Sequence, residues 1–185
     1  VADGNPIVWV SRLAGSPVEL MPGSELVVPL ARLAAELGVS VALIGSSDAS
    51  LNAAAEALKD AALGLEIAFI HAPEYGFDPT GESAQAILRN LDASGAQLAF
   101  LALGAPKQES FAALGRSLAP RVGFASIGAG LDFLSGAQVR APKWVRSIAM
   151  EWLWRLAGNP RRLFGRYAMS ALALPGLAWR SVRSR

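Results

Sequence analysis

The sequence predicts an α/β fold, a Rossmann-like parallel sheet flanked by helices, with a C-terminal helical basic appendage. Short apolar runs alternate with amphipathic stretches, and this alternation is typical of parallel strands joined by crossover helices. The predicted strands cover residues 7–10, 39–44, 65–70, 97–103 and 122–127. The predicted helices between them cover residues 24–37, 49–62, 82–93 and 107–118. A length of 185 residues suits one domain with a sizeable core.

Beyond the last predicted strand the sequence becomes helical. Pro142 suits a first helical position, and large apolar residues then recur every fourth residue, at Trp144, Ile148 and Trp152. A second helix is predicted to begin after Pro160 and to end near Pro175. We therefore expect residues 1–138 to form the sheet domain and residues 139–185 to form an Arg/Trp-rich, membrane-associating appendage.

Composition excludes several classes of protein. Apolar residues make up 52% of the chain and charged residues 17%, which is too apolar for a disordered protein. Cysteine is absent, so disulfide frameworks, thiolate zinc sites and thiol catalysis are excluded and a reducing cytosol is expected. The longest late uncharged run, residues 167–179, is shorter than the ~20 residues of a membrane-spanning helix. The N terminus lacks the pattern of a signal peptide.

The charge is strongly divided along the chain. Residues 1–132 contain 7 Lys/Arg and 14 Asp/Glu, whereas residues 133–185 contain 10 Lys/Arg and 1 Asp/Glu. The latter segment also contains four of the five tryptophans. Arginine with tryptophan at helical spacing is typical of a segment at an anionic membrane surface. RNA binding is the competing interpretation of an arginine cluster, but we favour the membrane and expect no nucleic acid. The same tryptophans would suit a homo-oligomer interface.

Two loops that follow predicted strands are candidate binding sites, as are the shorter loops at residues 45–47 and 71–77. The first runs from Gly104 through Pro106, Lys107 and Gln108 to Glu109, and backbone amides at the start of a helix suit a diphosphate or a sugar hydroxyl. A plain strand-to-helix turn is the alternative.

The second loop, residues 128–136, contains Gly128, Gly130 and Asp132. Its glycines would let a ligand approach the backbone, and a carboxylate at a strand end suits ribose or sugar hydroxyls. Alternatively, Asp132 caps a local helix. The glycine spacing does not fit the dinucleotide fingerprint, so NAD binding is not supported.

Two isolated side chains complete the candidates of the sheet domain. Asp3 precedes the first predicted strand, where it could act as a general base, and an Asp-Gly turn with Gly4 is the alternative. His71 is the single histidine, and we expect a hydrogen-bonded loop residue rather than a metal ligand.

Arg155, Arg162 and Arg166 recur at spacings of seven and four in the appendage. They would line one face if the helix continued past Pro160. Such a face could clamp a diphosphate or lie on anionic lipid. A solvated basic face is the alternative.

Six segments in order resemble the WecG/TagA/CpsF family of glycosyltransferases, glycosyltransferase family 26, over nearly the whole chain. They are residues 2–4, 23–26, 103–109, 128–136, 140–144 and 151–156, the last followed by 160–162 and 166–167. The resemblance implies an inverting transfer, without a metal or other cofactor, of a sugar from a UDP-sugar to a polyprenyl-diphosphate-linked saccharide. N-acetylmannosamine, its uronate and glucose are the candidate sugars. The products would be teichoic acid, enterobacterial common antigen, capsule or exopolysaccharide, made at the cytoplasmic face of the bacterial plasma membrane.

The resemblance also implies roles for individual residues. Asp3 matches the catalytic base, and Gln108 matches a polar active-site residue of the Pro-Lys-Gln-Glu motif, so these two are the predicted catalytic residues. Asp132 lies in the nucleotide-side glycine loop. Arg155 and Arg162 match basic residues of the family's C-terminal appendage that engage diphosphate and membrane. The glycines and the motif residues flanking Gln108 are assigned to substrate binding, as are the arginines: Gly104, Pro106, Lys107, Glu109, Gly128, Gly130, Asp132, Arg155, Arg162 and Arg166.

This chain departs from the family pattern in four places, and in the first of them a basic residue common shortly before the Gly-Ser-Asp-Leu segment is replaced within Leu20-Met21. Glu25 replaces the aspartate of a Gly-Ser-Asp-Leu segment, Gly165 stands where some members have a third arginine beside Arg166, and members usually carry a further N-terminal segment. A non-catalytic module that binds UDP or lipid is therefore the alternative to a transferase.

Overall fold

The computed structural model describes residues 3–142, 144–145, 149–158 and 160–183. The helices are α1 (Asn5–Leu13), α2 (Gly23–Leu37), α3 (Asp48–Ala61), α4 (Glu82–Ala93), α5 (Lys107–Leu118), α6 (Gly130–Leu134), α7 (Glu151–Gly158) and α8 (Pro160–Arg183). The strands are β1 (Val41–Gly45), β2 (Ile67–His71), β3 (Leu98–Ala102) and β4 (Gly123–Ser126).

The four strands form one parallel sheet in the order β2-β1-β3-β4. Val41 of β1 lies between Ile67 of β2 and Leu98 of β3, so β1 and β3 occupy the centre. Helices connect the successive strands, as parallel pairing requires. The predicted Rossmann-like α/β fold is confirmed.

The core has two layers because residues of the central strands alternate between the two faces of the sheet. Leu43 and Phe100 face α2 and α3, whereas Ile44 and Leu101 face α4 and α5 together with Phe111. All five side chains are fully buried. Burying each such side chain contributes about 1.5–3 kcal/mol.

The chain divides into two compact units. One comprises residues 23–139, which hold the sheet and helices α2 to α6, and the other comprises residues 1–22 with 140–185. In this second unit, α8 packs against α1 and against α7. The division into a domain at 1–138 and an appendage at 139–185 stays a prediction.

Residues 7–10 lie within helix α1, so their prediction as a strand is wrong. An apolar run of four residues fits either element by pattern alone. Pro6 stands in the first turn of α1, where its missing N–H removes no helical hydrogen bond, and Arg12 in the last turn complements the helix dipole. Packing of α1 against α8 then buries Val8 in a helix rather than in a sheet.

The prediction that the last helix ends near Pro175 is also wrong, because α8 continues through that residue to Arg183. A proline inside a helix removes one backbone hydrogen bond, and the exposed turn at Pro175 can leave that carbonyl to solvent. The turns beyond it carry their own contacts. Ser181 Oγ donates to the Leu177 carbonyl at 2.9 Å, and the Arg183 guanidinium lies 5.0 Å from the centre of the Trp179 ring.

No helix within the described part of the chain combines the length and the apolar character that crossing a membrane would require.

Candidate active site

Three longer helices begin at the carboxyl edge of the sheet. Helices α3 and α5 follow β1 and β3 directly, and α2 begins against the end of β4, where a Cβ on Gly23 would lie 2.8 Å from the Ser126 carbonyl oxygen. The first turn of a helix has unpaired N–H groups and a partial positive charge. This edge therefore suits an anionic group such as a phosphate.

Asp132 lies at this edge with both carboxylate oxygens bound by the protein. Ser46, in the turn after β1, donates its hydroxyl to Asp132 Oδ1, and Gln138 donates from Nε2 to Oδ2 at 2.9 Å. Asp132 belongs to the first turn of α6, but its side chain makes no capping bond to that helix. The carboxylate is half-buried and joins the turn after β1 to the segment that follows α6.

Gln108 is buried beneath the first turn of α5, with 5% of its surface exposed. Its Oε1 accepts a hydrogen bond from the Gly128 amide at 3.3 Å, and its Nε2 donates to Glu109 Oε1 at 2.8 Å. The side chain therefore connects the first turn of α5 to the turn before α6. Glu109 itself is exposed.

Lys107 contacts the loop between β2 and α4. Its Nζ donates to the Phe77 carbonyl at 2.6 Å, and the Phe77 ring packs on Phe111 of α5 at 5.9 Å. In the same loop, hydrogen bonds from the Thr80 amide and hydroxyl hold the pKa of Asp78 below its ordinary value. This loop carries a fully exposed tyrosine, Tyr75.

The glycines predicted to bind substrate have different surroundings. Gly104 and Gly128 adopt φ angles of +75° and +57°, and a Cβ on either would meet no atom within 4 Å. Gly130 instead packs against α2, because a Cβ there would lie 2.7 Å from Val27 Cγ2. Pro106 occupies the N-cap position of α5 and follows a cis peptide bond with Ala105.

Asp3 is exposed and precedes helix α1 rather than a strand. It belongs to the unit formed by residues 1–22 and 140–185, whereas Gln108 and Asp132 belong to the sheet unit. The role of Asp3 as a base stays a prediction.

The three arginines of the appendage lie on two helices. Arg155 is in α7, whereas Arg162 and Arg166 are in α8 and separated by one turn. Their side chains lie outside the described part of the structure, so their predicted contacts stay predictions.

His71 ends β2, and its ring stacks on Phe69 at 6.1 Å. Across residues 3–142, 144–145, 149–158 and 160–183, no group of three or more His, Asp or Glu side chains is placed to hold a metal ion.

Sequence reasoning missed Ser46 and Gln138, the two partners of Asp132. The loop at residues 45–47 was a candidate because it follows a strand, but the sequence separates Ser46 from Asp132 by 86 positions. The available signal was shared placement, since β1 and β4 both end at the carboxyl edge of one parallel sheet.

The sequence model of the glycosyl transferase WecG/TagA/CpsF family matches residues 1–185 of this chain. The match covers the sheet unit, the N-terminal segment and the basic appendage together. The chain therefore belongs to the WecG/TagA/CpsF family, a family of glycosyltransferases of surface polysaccharide biosynthesis.

Proposed function

We propose that the chain is an inverting transferase that moves a hexose derivative from a UDP-sugar to a polyprenyl-diphosphate-linked saccharide. The observation that carries the proposal is the position of the Asp132 carboxylate at the carboxyl edge of the sheet, where α2, α3 and α5 begin. A carboxylate suits the hydroxyls of a nucleoside, and helix N termini suit its diphosphate.

The proposed donor site lies in the sheet unit. Asp132 would accept hydrogen bonds from the ribose, while Gly104 and Gly128 leave space for the diphosphate to approach the backbone. Gln108 supports this site, because its side chain joins the first turn of α5 to the turn that contains Gly128.

The proposed chemistry is a single displacement at the anomeric carbon. Asp3 takes the proton of the attacking acceptor hydroxyl, a bond forms from that oxygen to the anomeric carbon, and the bond to the UDP oxygen breaks with inversion. UDP leaves with the bonding electron pair. The developing negative charge is stabilised by backbone amides and by Arg155, Arg162 and Arg166, so the step as proposed uses no metal or other cofactor.

The acceptor lipid explains the basic appendage in this proposal. Ten Lys/Arg and four tryptophans lie within residues 133–185, and such a segment binds anionic lipid headgroups. We propose peripheral attachment to the inner face of the bacterial plasma membrane, where a polyprenyl-diphosphate acceptor would be presented.

UDP release tests this function. The purified chain is incubated with UDP-N-acetylmannosamine, its uronate or UDP-glucose, with and without a short-chain polyprenyl-diphosphate saccharide, and each reaction is repeated in EDTA. We expect UDP release from one donor that requires the acceptor and persists in EDTA. UDP binding without release in any reaction would instead identify a non-catalytic binding module, and loss of release in EDTA would overturn the metal-independent step.

A further inference from the structure

We propose that Ser46 is a positioning residue that sets Asp132 to accept a ribose diol, so that it gives the donor site selectivity for ribonucleotides. The inference rests on the proposed function, because it takes a uridine diphosphate as the ligand. It assigns a role to a residue outside the motifs by which the family is recognised.

The backbone fixes Ser46 at the sheet edge. Its amide donates to the Ala102 carbonyl at 3.2 Å, which continues the pairing of β1 with β3 beyond the end of β1. The preceding Gly45 has a φ of +119°, and a Cβ there would lie 2.4 Å from the Ala102 carbonyl carbon. Ser46 thus follows directly on the close approach of the two strands, and its side chain reaches Asp132 of α6.

Ser46 adopts a φ of +51°, in the left-handed region that favours glycine. On steric grounds alone glycine would be more stable at this position. The serine hydroxyl, however, donates to Asp132 Oδ1, which a glycine could not do. The hydrogen bond to Asp132 therefore accounts for a strained residue at this position.

Within the part of the chain that the structure describes, two donors reach the Asp132 carboxylate and leave it with acceptor sites in a defined arrangement. The Ser46 hydroxyl occupies one acceptor site on Oδ1, and Gln138 Nε2 occupies one on Oδ2. The backbone N–H of Gln138 also donates to the Asp132 carbonyl at 3.0 Å. Each carboxylate oxygen has two lone pairs, so one remains on each oxygen. Two adjacent acceptors of this kind match the two hydroxyls of a vicinal diol.

The test compares nucleotides that differ only in that diol. Calorimetry gives the dissociation constants of UDP and of 2′,3′-dideoxy-UDP for the wild-type chain, Ser46→Gly and Ser47→Ala. Ser46→Gly removes the hydroxyl and also the backbone strain. Ser47→Ala is the matched control, because the Ser47 hydroxyl accepts from the Ser50 amide at the start of α3, whereas the hydroxyl that donates to Asp132 is that of Ser46.

We expect the wild-type chain to prefer UDP over the dideoxy analogue. Ser46→Gly should weaken UDP binding about three- to tenfold, leave dideoxy-UDP binding unchanged and leave the urea midpoint unchanged or higher. In turnover, the same variant should raise the donor KM and keep kcat within about twofold. Ser47→Ala should lower the urea midpoint and preserve the selectivity.

Three results would overturn the inference. Equal weakening of both nucleotides by Ser46→Gly would mean that the hydroxyl shapes the site without acting through the diol. Equal binding of the two nucleotides by the wild-type chain would remove the diol contact while leaving the transferase intact. No binding of UDP by the wild-type chain would overturn the proposed function itself, and the inference with it.

Discussion

Gln108 Oε1 accepts a hydrogen bond from the Gly128 amide at 3.3 Å, so one buried side chain joins the first turn of α5 to the glycine turn before α6. Its other polar atom, Nε2, is already bonded to Glu109. Both ends of the amide thus have partners within the protein. This geometry supports a role for Gln108 in fixing the shape of the donor site.

Gln108→Leu keeps the approximate volume of the side chain and removes both hydrogen bonds. We expect a loss of about 1–3 kcal/mol in the free energy of unfolding, because the Gly128 amide loses its acceptor, and a rise of about tenfold in donor KM. Urea denaturation and initial-rate kinetics measure the two effects. Gln85→Leu, at a half-buried position of α4 whose amide oxygen accepts a hydrogen bond from the exposed Arg89 side chain at 3.2 Å, is the control and should change both quantities much less. A fall in kcat without any change in stability would instead favour direct contact of Gln108 with the reacting groups.

Lys107→Met tests whether this lysine holds the loop between β2 and α4. The bond from Nζ to the Phe77 carbonyl is lost, so we expect amide exchange at Phe77 to accelerate about five- to tenfold while exchange within α5 stays slow. Hydrogen-exchange mass spectrometry or NMR measures it. Lys59→Met removes an exposed lysine that pairs with Glu56 and serves as the control. A large loss of UDP affinity with unchanged exchange at Phe77 would assign Lys107 to the diphosphate instead.

Asp78 gives the same loop a dependence on pH. Its pKa in the folded chain is below the ordinary 3.8, first because of the Thr80 amide and then because of the Thr80 hydroxyl. Since the folded pKa lies below the unfolded one, the ionised carboxylate stabilises the loop above pH 3.8, and this stabilisation is lost as the pH falls through the folded pKa. Thr80→Val removes the hydroxyl donor, so a carbon-detected NMR titration should show the pKa of Asp78 moving up towards 3.8. An unchanged titration would contradict the assigned cause.

Gly115 allows α5 to pack directly on β4. A Cβ at this position would lie 2.4 Å from the Phe124 ring, so Gly115→Ala should destabilise the chain by about 1–3 kcal/mol despite the better helix propensity of alanine. Gly165→Ala, in α8, is the matched control because a Cβ there meets nothing within 4 Å. It should stabilise its helix by up to about 1 kcal/mol. Equal effects of the two substitutions in urea denaturation would contradict the packing argument.

The elements of the sheet unit could be predicted from the hydrophobic pattern of the sequence. The helices predicted at residues 24–37, 49–62, 82–93 and 107–118 begin and end within one residue of the observed ones, because each carries an apolar face at helical spacing. The strands could be predicted because central parallel strands are buried on both faces and read as continuous apolar runs. Residues 7–10 form a similar continuous apolar run but lie in a helix. A run of four residues does not distinguish a helix from a strand.

The candidate site could be predicted less fully. The loops that follow strands could be identified from the sequence. Gln108 and Asp132 lie in the helices that follow β3 and β4. The partners of each side chain were not identifiable. Ser46 reaches Asp132 only because it adopts a left-handed conformation after the end of β1. Gly130 packs on Val27 because α2 approaches α6 closely. Contacts of this kind follow from packing in three dimensions rather than from periodicity along the chain.

Asp3→Asn tests the proposed base. An amide cannot accept the proton of the acceptor hydroxyl, so kcat should fall about 10²- to 10⁴-fold. UDP affinity should stay within about twofold, because Asp3 is proposed to take a proton from the acceptor hydroxyl and not to contact UDP. Initial rates with saturating donor and acceptor, together with calorimetry for UDP, measure both quantities. Glu19→Gln neutralises another exposed carboxylate of the same N-terminal segment and is the control, with kcat expected to be unchanged. If Asp3→Asn retained wild-type kcat in a preparation that binds UDP normally, Asp3 would not be the base, although the donor site in the sheet unit would stand.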